Sequence, residues 1–187
     1  MPRMRIVTIW QPWAYCVGAG LKPVENRSQH AYHRGPVAIH AGLKADTMAR
    51  IPVPAAAAAL EAAGGLDRLW RAGVDEPGPP LLARGAIIAV ADLVDSHHSD
   101  PGQDGLLSMP RCLDRERGLC SPWAIAGKVH WQLANVRPLA EPMPYRGTLG
   151  LHPLLPQVEA EVLARITVSP LPAPPVSVGS TAGPGHG

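Results

Sequence analysis

Between residues 10 and 27 the chain reads Trp10-Gln11-Pro12-Trp13 and, a few residues later, Gly20-Leu21-Lys22-Pro23-Val24-Glu25-Asn26-Arg27. The first segment closes an alternating, β-branched run that predicts a strand, Arg5–Trp10. Pro12 at a first helical turn, with glycines at the far end, predicts a short helix, Pro12–Ala19. The second segment predicts another strand, Lys22–Arg27, and it carries three charged side chains. This short unit therefore concentrates the candidate site residues.

Outward from this unit, predicted strands outnumber predicted helices. An Ala- and Leu-rich helical region, Asp46–Arg71, is cut by prolines and by a Gly pair, and a last short helix is predicted at Gln157–Ile166. Helices and strands do not alternate, so the pattern indicates a mixed α+β fold, a small curved sheet or β-barrel with a few attached helices. The remaining predicted strands are Gly35–His40, Gly85–Asp95, Lys128–Val136 and Thr148–Leu151.

The chain is predicted to form one domain, residues 1–167, followed by a tail, residues 168–187. Residues 169–187 hold five Pro, four Gly and no charged side chain, so we expect the tail to be disordered. Inside the domain, residues 96–122 show no periodicity and many turn residues, which predicts a loop insertion.

Composition bounds the class of protein. With 46% hydrophobic residues the 187-residue chain can bury a core, while 22 Pro argue against a coiled coil. No apolar run approaches the length of a membrane span. The chain has three cysteines, a small and odd number that argues against a disulfide scaffold. We expect a cytoplasmic protein, monomeric by default and without a membrane partner. Phosphate-loop and nucleophile-elbow motifs are absent from the sequence, so no cofactor is predicted.

The charge is unevenly distributed. The net charge is +2, but residues 1–50 contain seven Lys or Arg against Glu25 and Asp46, a balance of +5 that leaves −3 for the rest. This asymmetry favours a basic face for an anionic partner, although an ordinary solvated surface explains it as well. Trp10 and Trp13 offer rings on which a base could stack, and the alternative is that they fill a core that has no Phe.

The charged strand admits two interpretations. Pure alternation points Lys22 and Glu25 to opposite faces and puts Glu25 and Arg27 on one face, but Pro23 could shift this register. In a pocket, Lys22 and Arg27 would hold phosphate or a base carbonyl, and Glu25 would accept from an exocyclic amine. A partly desolvated Lys22 could also act as a nucleophile or base. The other interpretation is a surface ion-pair strip.

Gly20–Arg27 matches in full the G-x-K-x-x-E-x-R signature of ASCH domains, which belong to the PUA-like superfamily. Further segments resemble the same family in the same order, so that the resemblance covers about residues 5–153. It implies a barrel whose cleft, lined by the signature residues, binds RNA or modified nucleosides. The supporting segments are 10–14, 32–41, 85–95 and 131–151, and the expected binding residues are Trp10, Gln11, Trp13, Lys22, Glu25, Arg27 and His40.

The resemblance also implies possible catalysis. Small ASCH proteins include amidohydrolases that deacetylate N4-acetylcytidine with the signature Lys, a Thr three residues later and a Glu on a later strand. Lys22 matches the Lys, whereas Glu25 stands at the Thr position, as in larger family members that resemble nucleic-acid binding modules. Asp92 is the nearest candidate for the later acid. Nuclease activity has been attributed to the family as well, and His40 could then be the acid–base partner of Lys22, although a satisfied strand histidine is the simpler interpretation.

The sequence therefore predicts binding of RNA or a modified nucleotide. The alternative is an amidohydrolase acting on N4-acylated cytidine-type nucleosides, with Lys22 as nucleophile or base and Glu25 orienting it; a ribonuclease is a further alternative. A third possibility is a transcription-associated adaptor that is recruited through protein contacts, with the Pro-rich tail as a ligand for a partner.

The insertion holds four residues of the types that bind zinc. A C-x7-C spacing beside a His pair is not a standard zinc spacing, so no metal is predicted, and a reduced thiol pair in the loop is expected instead. The residues concerned are His97, His98, Cys112 and Cys120.

Overall fold

A computed structural model describes residues 2–46, 48–65, 79–99, 112 and 119–166. Its strands are β1 (Arg5–Gln11), β2 (Val24–Arg27), β3 (Gly35–Ala45), β4 (Ala86–His98), β5 (Val129–Pro144) and β6 (Leu151–Pro153). Its helices are α1 (Trp13–Gly18), α2 (Pro54–Ala62) and α3 (Pro156–Ala164), with one 3₁₀ turn at Pro80–Leu82. The predicted mixed α+β class is confirmed.

All six strands form one sheet in the order β2-β5-β4-β3-β1-β6. Among the described strands, β1 and β3 pair in parallel and the other neighbours are antiparallel. The edge strands are short and do not pair with each other in the described part of the chain, so the sheet is not a closed barrel. The sheet is nevertheless curved, as a 2.8 Å hydrogen bond from the Arg27 side chain of β2 to the Thr8 carbonyl of β1 shows. Of the two predicted forms, a curved sheet or a β-barrel, the structure has the curved sheet.

Apolar residues cover both faces of the sheet. One core cluster contains Val7, Ile39 and Leu93 and includes residues of α1, and a second contains Ile6 and Ile87 and includes Val162 of α3. Alternating residues of one strand thus enter different cores, which explains the nearly continuous apolar run of β4. A third cluster joins α1, α2 and the segment before β5, through Tyr15, Leu60 and Trp123.

Several element boundaries differ from the sequence predictions, and β3 for example ends at Ala45 instead of His40. Strand β5 continues eight residues past the predicted end at Val136, with register shifts along its pairing to β4, and β6 lies at Leu151–Pro153 instead of Thr148–Leu151. Strand β4 runs on to His98, because Ser96, His97 and His98 still pair with β5. The insertion thus begins later than residue 96; most of it, and the predicted tail 168–187, lie outside the described residues.

In the described part of the chain, no helix is both long enough and apolar enough to cross a membrane.

Candidate functional site

The three charged residues of the Gly20–Arg27 signature are linked by consecutive ion pairs. The Lys22 Nζ atom lies 2.6 Å from Oε2 of Glu25 and donates a second bond to the Val24 carbonyl at 2.6 Å. The other carboxylate oxygen of Glu25 lies 3.1 Å from Nε of Arg27. Lys22 is only 4% exposed and Glu25 8%, so these charges are largely withdrawn from water. One carboxylate therefore bridges two cations.

This geometry departs from strict strand alternation because β2 begins only at Val24. Lys22 lies in the turn before the strand, where its backbone N–H bonds to the Cys16 carbonyl, and so it is not bound to alternate with Glu25. Gly20, with a φ of 71°, takes the left-handed conformation that closes α1 and starts this turn. The surface ion-pair strip is ruled out by the burial of Lys22 and Glu25.

Lys22 and Glu25 line a cavity of about 430 Å³, which we call the Lys22 cavity. Trp13 and Trp123 also line it, with their rings edge to face and their centroids 6.3 Å apart. Asp46, which accepts a 3.1 Å hydrogen bond from Nε1 of Trp13, and Arg50 complete the charged part of its wall. Two cations thus face two carboxylates, so the wall is close to electrically balanced.

A second site, the basic groove, consists of two adjoining cavities of about 680 and 560 Å³ that share Arg27, Leu149 and Gly150. The larger one is lined by Trp10 and His40, and the smaller one by the exposed Tyr32. Among the described residues that line the groove there is no carboxylate. Its permanently charged side chains are Arg5, Arg27, Lys44 and Arg146.

Trp10 provides the aromatic surface of the groove. Its side chain is 50% exposed, and Nζ of Lys44 lies 5.6 Å from the ring centroid, within cation–π range. Gly42 makes room for this ring, since a Cβ atom there would lie 3.3 Å from Cδ1 of Trp10. Trp10 therefore does not serve as core filler, whereas Trp13 is partly buried against Trp123.

His40 is buried in the wall of the groove, away from the Lys22 cavity. Its Nε2 atom donates to the Tyr145 carbonyl at 2.9 Å, so Nδ1 carries the lone pair, and Nδ1 has no hydrogen-bond partner among the described residues. Burial lowers the pKa of His40, and the bond to Tyr145 opposes this shift. The structure gives no support to a pairing of His40 with Lys22 as acid and base.

Gln11 is used entirely within the fold. Its amide nitrogen donates to the Leu81 and Ala83 carbonyls at 2.8 and 3.0 Å, and its oxygen accepts from the backbone of Tyr15. The residue is fully buried. We therefore assign Gln11 a role in joining β1 to α1 and to the 3₁₀ turn, and leave it out of the binding surface.

Sequence reasoning missed three groups at these sites. Asp46 follows β3 in the Lys22 cavity, and Lys44 and Arg146 bring charge to the basic groove. Strand pairing places them there, so no local motif marks them. Asp92, the expected later acid, instead forms an ion pair with Arg137 at 2.5 Å and lines neither site.

Two solved structures of an ASCH protein from Zymomonas mobilis are similar to this one. A variant with a single tyrosine-to-phenylalanine change gives a TM-score of 0.46 at 11% identity, covering 89% of this chain and 100% of the other. A second structure gives a TM-score of 0.46 at 12% identity, covering 88% of this chain and 96% of the other. No family model matches the sequence, and no curated protein matches it.

A third group of polar residues lies outside both sites. His97 of β4 and His130 of β5 are cross-strand neighbours, and Cys112 and Cys120 approach them from the connecting segment. Burial raises the pKa of the Cys120 thiol to about 12, and the neighbouring Cys112 adds to this shift. Burial likewise lowers the pKa of His130, which favours the neutral imidazole. We call these four residues the His97 cluster.

Proposed function

We propose that this protein binds single-stranded RNA in the basic groove. The observation that carries the proposal is the composition of the groove: four permanent cations, no carboxylate among the described lining residues, and a half-exposed Trp ring. Proteins that hold single strands combine a positive groove for the backbone with aromatic rings on which bases stack. The basic groove has both elements.

In this proposal, Trp10 stacks on a base while Lys44 and Arg146 contact the flanking phosphates. Lys44 already lies against the Trp10 ring, so a phosphate beside a stacked base would meet a cation placed to receive it. Arg27 belongs to both cavities of the groove and would contact the strand between them. The Thr8 carbonyl, Glu25 and the ring of Trp131 hold its guanidinium in position.

Lys22 and Glu25 take a supporting role in the proposal. The Lys22 cavity is charge-balanced and bordered by two Trp rings, which suits a single base or nucleoside better than a phosphate backbone. Glu25 connects the two sites, because it contacts Lys22 on one side and Arg27 on the other.

Fluorescence anisotropy with a labelled single-stranded RNA of about ten nucleotides, within the roughly 4–16 that single-strand binding folds cover, tests the proposal. Trp10→Ala removes the stacking platform, worth ~1–3 kcal/mol per base, so affinity should fall by about 5- to 150-fold. Leu163→Ala is the matched control, because Leu163 is an equally exposed apolar side chain of α3 that does not line the groove. Single-stranded DNA of the same sequence serves as the competitor.

If wild type and Trp10→Ala bind RNA with the same affinity, the basic groove is not the binding site. Absence of binding to every RNA at low salt would overturn the proposal as a whole. Tighter binding of the DNA competitor would assign the groove to DNA instead.

A second candidate function, hydrolysis of N4-acylated cytidine-type nucleosides, is favoured by one observation: the buried Lys22–Glu25 pair lies in a cavity with two Trp rings and the additional carboxylate of Asp46. In this mechanism Lys22 takes a proton from a water that attacks the acyl carbon, or attacks that carbon itself to form an acyl-lysine that water then hydrolyses. In both cases the bond between the acyl carbon and N4 breaks, a carboxylate transfers the proton to the leaving amine, and the carboxylic acid is released. Turnover of N4-acetylcytidine, followed by chromatography, should be abolished in Lys22→Ala and retained in Lys44→Ala. No turnover by wild type retires this candidate.

A further inference from the structure

The His97 cluster brings together four ligand atoms of the kinds that zinc prefers. One atom from each of the four residues lies within 4.8 Å of all the others. The pairing of His97 with His130 between β4 and β5 sets their rings edge to face, with centroids 5.4 Å apart. Cys112 and Cys120 are both free thiols and come from the segment that joins these strands. None of the four residues lines the Lys22 cavity or the basic groove.

Each of the two imidazoles keeps one unprotonated ring nitrogen that is not used by the protein's own N–H donors. Nε2 of His130 donates to the Ile125 carbonyl at 2.9 Å, which leaves Nδ1 as the unprotonated nitrogen facing the two sulfurs. Nδ1 of His97 donates to the Asp95 carboxylate at 2.6 Å, so its other nitrogen, Nε2, carries the lone pair. Metal-binding histidines typically donate their second N–H to a carboxylate or a backbone carbonyl, as both do here.

Nε2 of His97 is buried and has no hydrogen-bond partner in the part of the chain that the structure describes. A buried acceptor of this kind costs free energy unless something binds it. Hydrogen bonds between the thiols and the imidazoles would leave Nε2 of His97 unsatisfied. They would also require two S–H groups to donate to the single lone pair of His130. A disulfide between Cys112 and Cys120 would leave both nitrogens unused. A cation at the centre of the cluster satisfies all four atoms.

The two distances from His130 to the sulfurs agree with tetrahedral zinc. Zinc bonds of about 2.3 Å to sulfur and about 2.0–2.1 Å to nitrogen place neighbouring S and N ligands roughly 3.5 Å apart. Nδ1 of His130 lies 3.5 Å from Sγ of Cys112 and 3.4 Å from Sγ of Cys120. The backbone N–H of Cys120 also donates to Sγ of Cys112, a contact that stabilises a thiolate.

We propose that His97, Cys112, Cys120 and His130 bind one zinc ion. A set of two sulfurs and two nitrogens in tetrahedral array selects zinc, and four protein ligands leave no open position, so the site is structural. This departs from the sequence expectation of no metal. The spacing H-x14-C-x7-C-x9-H does not indicate a zinc site in the sequence, because strand pairing, and not a local turn, brings His130 to His97.

The zinc ion would fix one wall of the Lys22 cavity. The Ile125 carbonyl that orients His130 belongs to the same segment as Trp123, and both residues line that cavity. Asn26 of β2 holds this segment from the other side, donating to the Trp123 carbonyl at 2.8 Å and accepting from the Ile125 N–H at 2.9 Å. The ion would therefore clamp the segment between β4 and β5 against the strand that carries Glu25.

The test is the metal content of the full chain, purified without chelators and measured by mass spectrometry of the elements. We expect one zinc per chain, and near-complete loss of zinc in Cys120→Ser and His130→Gln. Cys16→Ala and His98→Gln are the matched controls; they remove another cysteine and the neighbouring histidine of β4, and they should keep one zinc. Asp95→Asn should weaken zinc affinity by roughly 10- to 100-fold, because Asp95 only orients His97.

A second readout does not depend on the folding of any variant. Wild-type protein loaded with Co²⁺ should show the intense visible bands of a tetrahedral site and a thiolate-to-cobalt charge-transfer band. The proposal is overturned if the purified protein holds less than one zinc per chain, if adding zinc does not raise this content, and if the cobalt spectrum is typical of octahedral coordination. A Cys112–Cys120 disulfide in protein that, after reduction, still takes up no zinc also overturns it. Neither result bears on RNA binding, which is measured separately.

Discussion

Glu25 holds two cations at once, so its carboxylate should matter more to stability than a typical surface acid. Glu25→Gln keeps the shape of the side chain but leaves Lys22 buried without a counter-charge and removes the contact of Arg27. Breaking a buried ion pair from one side costs about 3 kcal/mol or more. We expect a loss of about 3 kcal/mol in the free energy of unfolding, measured by urea titration.

The matched control is Glu161→Gln, which breaks an exposed i,i+4 pair with Arg165 at the end of α3. Exposed helical pairs contribute only about 0.3–0.5 kcal/mol. Equal effects of the two substitutions would show that the Glu25 carboxylate is no better shielded from water than that of Glu161. The double variant Lys22→Met/Glu25→Gln should recover part of the loss, because it removes the orphaned charge.

His40 should make stability depend on pH. Its folded-state pKa lies below the ordinary value of 6.5 because of burial, so the folded protein binds fewer protons at this site than the unfolded chain does. The stability contribution is complete above pH 6.5 and is lost as the pH falls through the lower, folded-state pKa. In His40→Gln, the drop in melting temperature between pH 7 and pH 5 should be smaller than in wild type; an identical drop would assign the pH dependence to other groups.

At the scale of elements, α2 is held by very few contacts. The helix is mostly alanine, and of its side chains only Ala56 and Leu60 are buried. The Tyr15 hydroxyl of α1 adds one hydrogen bond to the Ala59 carbonyl. Leu60→Ala should therefore lower the free energy of unfolding by about 2–4 kcal/mol, and Leu163→Ala, a half-exposed leucine of α3, by less than about 1 kcal/mol. Similar losses for both would mean that α2 is not docked through Leu60.

The elements that the sequence predicts well are those with local causes. Alternation marks β1, and proline with glycine brackets α1, so both lie within two residues of their predicted bounds. What depends on pairing between distant strands was not predictable. The register of β4 and β5 sets His97 beside His130, and the curvature of the sheet brings Arg27 to Thr8. The candidate site was divided for the same reason, with Trp10 in the groove and Lys22 in its own cavity.

At the scale of the whole molecule, the excess of basic residues in the first fifty positions corresponds to one surface, the basic groove. Arg5, Arg27 and Lys44, all from the first fifty residues with their +5 balance, line the basic groove together with Arg146. The net charge of +2 therefore understates the positive potential that an approaching anion meets. Placement of charge on one surface, more than total charge, is what would attract a nucleic acid to this protein.

This placement makes a quantitative prediction about salt. Each phosphate that a protein neutralises on a single strand adds about 0.7 to the slope of log affinity against log salt concentration, so four groove cations should give a slope of about −3. Lys44→Ala and Arg146→Ala should each reduce its magnitude by about 0.7, whereas Arg165→Ala should leave it unchanged. Anisotropy titrations over a series of salt concentrations measure these slopes. A slope near zero, or one that the two groove substitutions do not change, would place any bound strand outside the basic groove.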